Sequence, residues 1–295
     1  MRVRGFDFLD AILYSRSQRP ITRRIILHTR GAARAAAFAR RMGIGGPARR
    51  LYHWLFFSRA VRRAAPCGKE ASFHTPTPTL AEQVETLTGE GEILAHFLGS
   101  LRRGDTVWDA GAGFGLYAVL ASVHLGGTGR VAAFEPEPRM RRLLERNASL
   151  NACRNLTVHG QALGERDGVL DLFPSDSPNA GVSSSVRRRD YPLGSRPLPV
   201  GVRRGDSLVR EGVPPPDVLK IDTEGAELSV LRGMGSLLES PRLRGVYCEL
   251  HPDLLPSFGD TPAAVEEALT GAGFHTEVRA RRGTEIHLVC LRERP

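Results

Sequence analysis

From about residue 80 onward, short runs rich in β-branched and aromatic residues alternate with longer stretches whose apolar residues recur every third or fourth position. The first pattern marks buried strands and the second marks amphipathic helices. It predicts a helix over 80–101, a strand at Thr106–Asp109, a helix ending near Val123, a strand at Arg130–Glu135 and a helix over Pro138–Leu150. Short strands are expected at Leu156–Ala162 and Val169–Phe173, followed by a long loop over 174–198 of the kind that often contacts ligands. The remainder reads as a strand at Asp217–Asp222, a helix over Ala226–Leu238, a strand at Gly245–Leu250 and a helix over Pro262–Ala272. A hairpin closes the chain, its arms Phe274–Arg281 and Glu285–Leu291 flanking Arg282-Gly283. Such alternation implies an α/β fold: a mainly parallel sheet with helices on both faces and an antiparallel hairpin at its C-terminal edge.

The first 75 residues differ. Apolar stripes at Phe6–Leu13 and Ala32–Met42 and a cluster at Leu51, Trp54, Leu55 and Phe56 predict a basic helical segment over 1–75, joined through Thr75-Pro-Thr-Pro-Thr to a domain over 76–295. The chain of 295 residues carries a net charge of +9, and 39 of its 41 basic residues are Arg. That charge is uneven. Residues 1–63 hold 15 Arg against Asp7 and Asp10, a balance of +13, so the rest of the chain stands at −4. Nucleic acid is therefore disfavoured as a partner of the main domain, and the arm is read as a helical appendage packing its apolar residues on that domain with Arg facing water, ahead of a basic surface for membrane, RNA or an acidic partner, its charge bearing on docking or homo-oligomerisation. Four widely spaced cysteines and the lack of a signal-like leader or a ~20-residue apolar run point to a cytoplasmic protein without a membrane span.

The strongest local feature is Asp109-Ala-Gly111-Ala-Gly113-Phe-Gly115 between a strand and a helix. Glycines let the backbone turn tightly and approach a ligand, and the helix start presents free N–H groups. Glu135 ends the next strand, where a carboxylate can take both ribose hydroxyls of an adenosine-containing cofactor. The dinucleotide fingerprint requires Gly where Leu116 stands. An acid before the glycine turn also suits a cofactor with a cationic amino-acid end, so S-adenosylmethionine is preferred.

These motifs, with Phe134-Glu-Pro-Glu-Pro, Asn147 and Asn151, Ala162-Leu-Gly-Glu-Arg-Asp-Gly and above all Leu219-Lys-Ile-Asp-Thr-Glu-Gly-Ala-Glu, resemble the FkbM-type methyltransferases over about 88–292. Gly113 departs from the family, which usually has Asn there. The resemblance implies a Rossmann-like class I S-adenosylmethionine-dependent O-methyltransferase, acting on a sugar, aminosugar or polyketide hydroxyl in natural-product biosynthesis. On this reading Asp109, Gly111, Ala112, Gly113, Gly115 and Tyr117 cradle the amino-acid end and backbone side of the cofactor. Glu135 and Pro136 meet the ribose, Gln161 and Ala162 border the adenine, and Asp222 faces the methionine end or the reactive centre.

Lys220, Asp222 and Glu224 sit at one strand end, and Glu249 and His251 at the next. Lys220 and Asp222 alternate to one side and can form a buried ion pair, but three charges on an apolar strand end are costly to bury without purpose. His251 is the expected general base, an imidazole that titrates near neutrality, with Glu249 or Glu224 orienting it and Glu224 facing the acceptor. A magnesium ion held by these carboxylates is the less favoured alternative. Arg187-Arg-Arg189 in the long loop offers a handle for an anionic acceptor. Three further readings stand beside this one: an RNA methyltransferase using the basic arm, an N-methyltransferase on an aminosugar, and a non-catalytic cofactor-binding scaffold.

Overall fold

The computed structural model describes residues 60–174, a short strand at 184–185 and residues 196–292. The basic helices expected in the first 59 residues and the Arg187–Arg189 run therefore lie outside the described residues, as does most of the 174–198 loop. The unit containing the described residues begins at Arg59. Residues 61–75 are not helical as expected. They form an antiparallel hairpin of β1 (Val61–Ala64) and β2 (Ala71–His74), with Phe73 fully buried in the core. The short basic run at 62–63 hid this strand alternation.

One helix was expected over 80–101. The chain instead makes α1 (Pro78–Thr86) and α2 (Gly91–Ser100), separated by left-handed Leu87, Thr88 and Gly89. The alternation then runs through β3 (Thr106–Ala110), α3 (Leu116–Leu125), β4 (Arg130–Phe134), α4 (Pro138–Leu150) and β5 (Leu156–His159). After it come β6 (Ala162–Leu163), β7 (Gly168–Pro174), β8 (Ser184–Ser185) and β9 (Leu198–Arg203). The last stretch holds α5 (Gly205–Arg210), β10 (Val218–Ile221), α6 (Glu227–Met234), α7 (Ser236–Glu239), β11 (Gly245–Leu250), α8 (Pro262–Gly271), β12 (His275–Arg282) and β13 (Glu285–Leu291). The sequence reading did not contain β9 or α5, and it joined α6 to α7 across Gly235, whose φ of 52° ends the first helix. Three helices share one start signal: Thr77, Glu137 and Thr261 accept the N–H of Leu80, Met140 and Ala264, each with proline next in line. Proline supplies the fixed φ and lacks an N–H that would otherwise need a partner.

The main sheet has the order β12-β13-β11-β10-β3-β4-β5, parallel except where β13 pairs antiparallel with β11 and β12. A second, four-stranded sheet follows the order β6-β9-β7-β8. Strand residues alternate between two cores. Val107, Val131, Ala133, Val218 and Tyr247 pack in one with Phe97 and Val119. Trp108, Ala132, Phe134, Leu219 and Val246 pack in the other with Leu231 and Met234. Period-two alternation puts Asp109, Lys220 and Glu249 on the face of the first core, where the strands run out.

Asn147 and Asn151 fasten the hairpin to this body. The Asn151 amide accepts Ser72 N–H and donates to Ser72 C=O, and Asn147 Oδ1 accepts His74 N–H. Asn147 is fully buried, and its Nδ2 donates to Phe114 C=O in the glycine loop.

Candidate active site

Ligands of open α/β sheets lie beyond the carboxyl ends of the strands, and there β3, β4, β10 and β11 enclose a cavity of about 310 Å³. Of the fourteen residues expected at the site, twelve line it. Gly115 and Gln161 are not among the lining residues. Gly115 has a φ of 93°, and a Cβ there would come 2.2 Å from Leu144 Cδ1, so this glycine serves the packing of α3 against α4. Gln161 packs over β9, its Cγ 3.4 Å from where a Gly201 Cβ would stand.

The glycine turn is shaped by close approach. Gly111 has a φ of 78°, and a Cβ would lie 1.8 Å from Asp222 C=O, closing the gap between the ends of β3 and β10. Beside it, Glu135 Oε2 accepts Gly113 N–H at 2.7 Å and Oε1 accepts Glu137 N–H at 2.8 Å. Burial nevertheless pushes its carboxyl up to about 8 against these two bonds. Asp109 is 1% exposed, and neither of its oxygens has a hydrogen-bond partner. Burial raises its pKa to about 6, against the pull of Lys220 Nζ at 4.0 Å. Thr223 Oγ1 in the same lining is also unpartnered.

Lys220 and Asp222 do pair, Nζ to Oδ2 at 2.9 Å, and the ammonium stands 4.8 Å over the Tyr117 ring. Tyr117 donates its hydroxyl to Glu90 at 2.8 Å. His251 is held differently from expectation. Its Nδ1 lies 2.9 Å from Oε1 of Glu227, a fully buried residue that also accepts Gly225 N–H. Glu227 orients the imidazole, correcting the expected roles of Glu249 and Glu224. His251 Nε2 is left facing Asp222 Oδ1 at 3.7 Å and Glu224 Oε2 at 3.9 Å. Burial opposes a charge on this ring. The Glu227 bond and the charges of Asp222 and Glu224 outweigh it, raising the pKa to about 10. Glu224 is raised to about 7 by burial, against His251, and its φ of 52° is uncommon for a non-glycine residue.

Glu249 meets Arg282 instead. The guanidinium reaches in from the end of β12 and donates to Glu249 (2.8 Å), Glu90 (3.2 Å), Glu285 (2.6 Å) and Thr88 C=O (2.7 Å). Burial, then the charges of Asp222 and Glu90, raise the Glu249 carboxyl. Glu90, Glu227 and Arg282 were missed in the sequence. Glu227 reads there as an ordinary first-turn acid of a helix, Arg282 as a turn residue, and Glu90 as a surface charge. Asp222, Glu249 and His251 offer ligand atoms within 4.8 Å of one another, as do Glu90, Glu249 and His287.

A glycine turn, an acid ending the next strand and a polar cavity at the carboxyl edge of a mainly parallel sheet define a Rossmann-like enzyme built for an adenosine-containing cofactor. Residues 109–276, more than half of the chain, match the Methyltransferase FkbM domain. The chain belongs to the FkbM methyltransferase family and is an S-adenosylmethionine-dependent methyltransferase. It is 28% identical over 249 residues to the hexuronic acid methyltransferase AglP of Haloferax volcanii, covering 83% of this chain and 96% of that protein. It is 30% identical over 222 residues to the 31-O-demethyl-FK506 methyltransferase FkbM of Streptomyces tacrolimicus, covering 65% of this chain and 82% of that protein. Among solved structures, the precorrin-6y C5,15-methyltransferase of Geobacter metallireducens aligns over 69% of this chain and 89% of its own, with a TM-score of 0.43 and 17% identity. Among the described residues, no helix is long and apolar enough to cross a membrane.

Proposed function

We propose that the protein O-methylates a small polyhydroxylated acceptor, a sugar or polyketide hydroxyl, and that its donor and acceptor meet at the carboxyl ends of β3, β10 and β11. The two relatives support this, one named for a hexuronic acid and the other for a demethylated polyketide. S-adenosylmethionine supplies an electrophilic methyl on a sulfonium. The chain fits it at two places. The orphaned Asp109 carboxylate suits an ammonium, and Gly111, where a side chain would collide with β10, keeps the turn open to the cofactor. Glu135 takes the ribose side with its remaining lone pairs, and Ala162 borders the adenine.

The single observation that carries the chemistry is His251, with Nδ1 pinned by buried Glu227 and Nε2 facing the cavity. Nε2 takes the acceptor's proton as the hydroxyl oxygen becomes the nucleophile, and Glu227 stabilises the imidazolium. Glu224 and Glu249 face the acceptor. The ring must shed its own proton first, since the surrounding carboxylates keep it charged in the ligand-free cavity. No divalent metal is needed for these roles, and the cytoplasm is the proposed location of an enzyme whose four cysteines are unpaired.

Two substitutions test the reading. Glu135→Ala is expected to weaken S-adenosylmethionine binding far more than it changes stability, and calorimetry showing unaltered affinity would reject the donor assignment. His251→Ala is expected to retain cofactor binding and lose transfer of labelled methyl, so an active variant would remove His251 as base.

A further inference from the structure

Two side chains that line the cavity come from the flanks of the region that matches the family. Glu90, immediately before α2, and Arg282, at the end of β12, both lie outside residues 109–276. They meet at 3.2 Å. Glu90 is 6% exposed, so its charge relies on the groups around it. Oε1 accepts the Arg282 guanidinium and, at 2.6 Å, the Thr88 hydroxyl. Oε2 accepts the Tyr117 hydroxyl at 2.8 Å. An unusual corner leads into Glu90, with Leu87 and Thr88 both left-handed at φ of 52° and 58°. Such residues persist only where their surroundings over-determine them. Arg282 supplies part of that hold, with Nη1 on Thr88 C=O at 2.7 Å and Nη2 on Glu249 at 2.8 Å.

From Glu90 the contacts run on to the donor side. Tyr117 is the second residue of α3, just past the glycine turn, and its ring lies 4.8 Å under Lys220 Nζ. Burial, then the Glu90 charge, push the phenol above its ordinary range, so the hydroxyl stays a hydrogen donor to Glu90. Lys220 in turn stands 2.9 Å from Asp222 Oδ2 and 4.0 Å from Oδ1 of Asp109, the carboxylate left without a hydrogen bond.

We propose that Arg282 is a positioning residue for the cofactor: through Glu90 it fixes the Tyr117 ring, and with it the place of Lys220 beside Asp109. This rests on the donor site proposed above. Arg282 itself makes no hydrogen bond to Tyr117, Lys220 or Asp109; its donors go to Glu249, Glu90, Glu285 and Thr88 C=O. Without it, Glu90 loses the cation beside Oε1, and the carboxylate that receives the Tyr117 hydroxyl is free to turn. The planar fork matters as well as the charge. A lysine ammonium is a single point and does not span Glu249, Glu90 and Thr88 C=O together.

Calorimetry of the full chain with S-adenosylhomocysteine tests this in a double-mutant cycle of Arg282→Ala and Tyr117→Phe, with melting temperatures recorded alongside. Arg282→Ala is expected to weaken S-adenosylhomocysteine binding about three- to tenfold. In the Tyr117→Phe background the hydroxyl that passes the constraint on is missing, and the same change is expected to cost less than about twofold. Arg282→Lys keeps the charge and so protects folding; it is expected to show the same pattern with a smaller loss, about two- to fivefold. A lowered melting temperature with unchanged affinity in both Arg282 variants overturns the proposal, as does an equal loss in the two backgrounds. A wild type that does not bind S-adenosylhomocysteine defeats the donor-site assignment beneath it, whereas wild-type binding with additive substitutions defeats only the role of Arg282.

Discussion

Replacing Glu227 by glutamine removes one negative charge and leaves the side chain's shape unchanged. Glu227 is fully buried, and its Oε1 accepts both Gly225 N–H and the His251 ring at 2.9 Å. The amide oxygen of glutamine can keep both contacts, so the variant should fold. A hydrogen bond to a charged group is worth about 1.5 kcal/mol more than a neutral one, which is about one pKa unit. His251 should therefore fall by about one unit from its raised value near 10. Only the neutral ring accepts a proton, so kcat/KM for the wild type should climb with pH from neutrality towards 10. In Glu227→Gln the climb should begin about one unit lower, and its plateau should fall because Nδ1–H is held less firmly. Stability gives an independent readout. A histidine raised above its ordinary 6.5 contributes stability fully below that value and loses it as pH rises through about 10. The wild-type melting temperature should thus decline across this window, and the variant's should decline less. Superimposable pH–rate profiles for the two proteins would refute the role given to Glu227.

Two further outcomes concern the frame around the site. Gly111→Ala places a methyl 1.8 Å from Asp222 C=O at a φ of 78°, so S-adenosylmethionine binding by calorimetry should be lost, and a variant with wild-type affinity would contradict the close approach of β3 and β10. Asn147→Ala strands His74 N–H and Phe114 C=O inside the protein, at a cost of about 2–4 kcal/mol in urea unfolding together with weakened cofactor binding. A loss of stability with unchanged cofactor affinity would show that the hairpin and the glycine loop are independent.

What could be read from the sequence was local. The glycine turn, Glu135 and the Lys220–Glu227 block each sit on a strand end whose apolar run is visible in a few residues, so twelve of the fourteen expected residues line one cavity. What could not be read depends on distance along the chain. Arg282 and Glu90 are 192 positions apart, and only the pairing of β12 with β13 and β11 brings the guanidinium into the cavity. Glu227 was visible in the signature block but was given no role, because only its helix, turned back under the end of β11, brings it to His251. That contact depends on a left-handed Glu224 and Gly225, which no periodicity reveals. The hairpin at 61–74 was lost because its strands are four residues each and half of β1 is arginine.

That hairpin's edges bear on whether another strand can add to it. A strand edge with free N–H and C=O groups is a template for another strand. The outer edge of β2 is instead closed by the side chains of Asn147 and Asn151, which copy the donor and acceptor spacing of a neighbouring backbone from the surface of a helix. The two amides are thus a cap against edge-to-edge aggregation as well as a fastening. Among the described residues they leave β1 as the hairpin's open edge, and β1 carries Arg62 and Arg63, paired with Glu85 and Glu70, charged side chains that an added strand would have to displace.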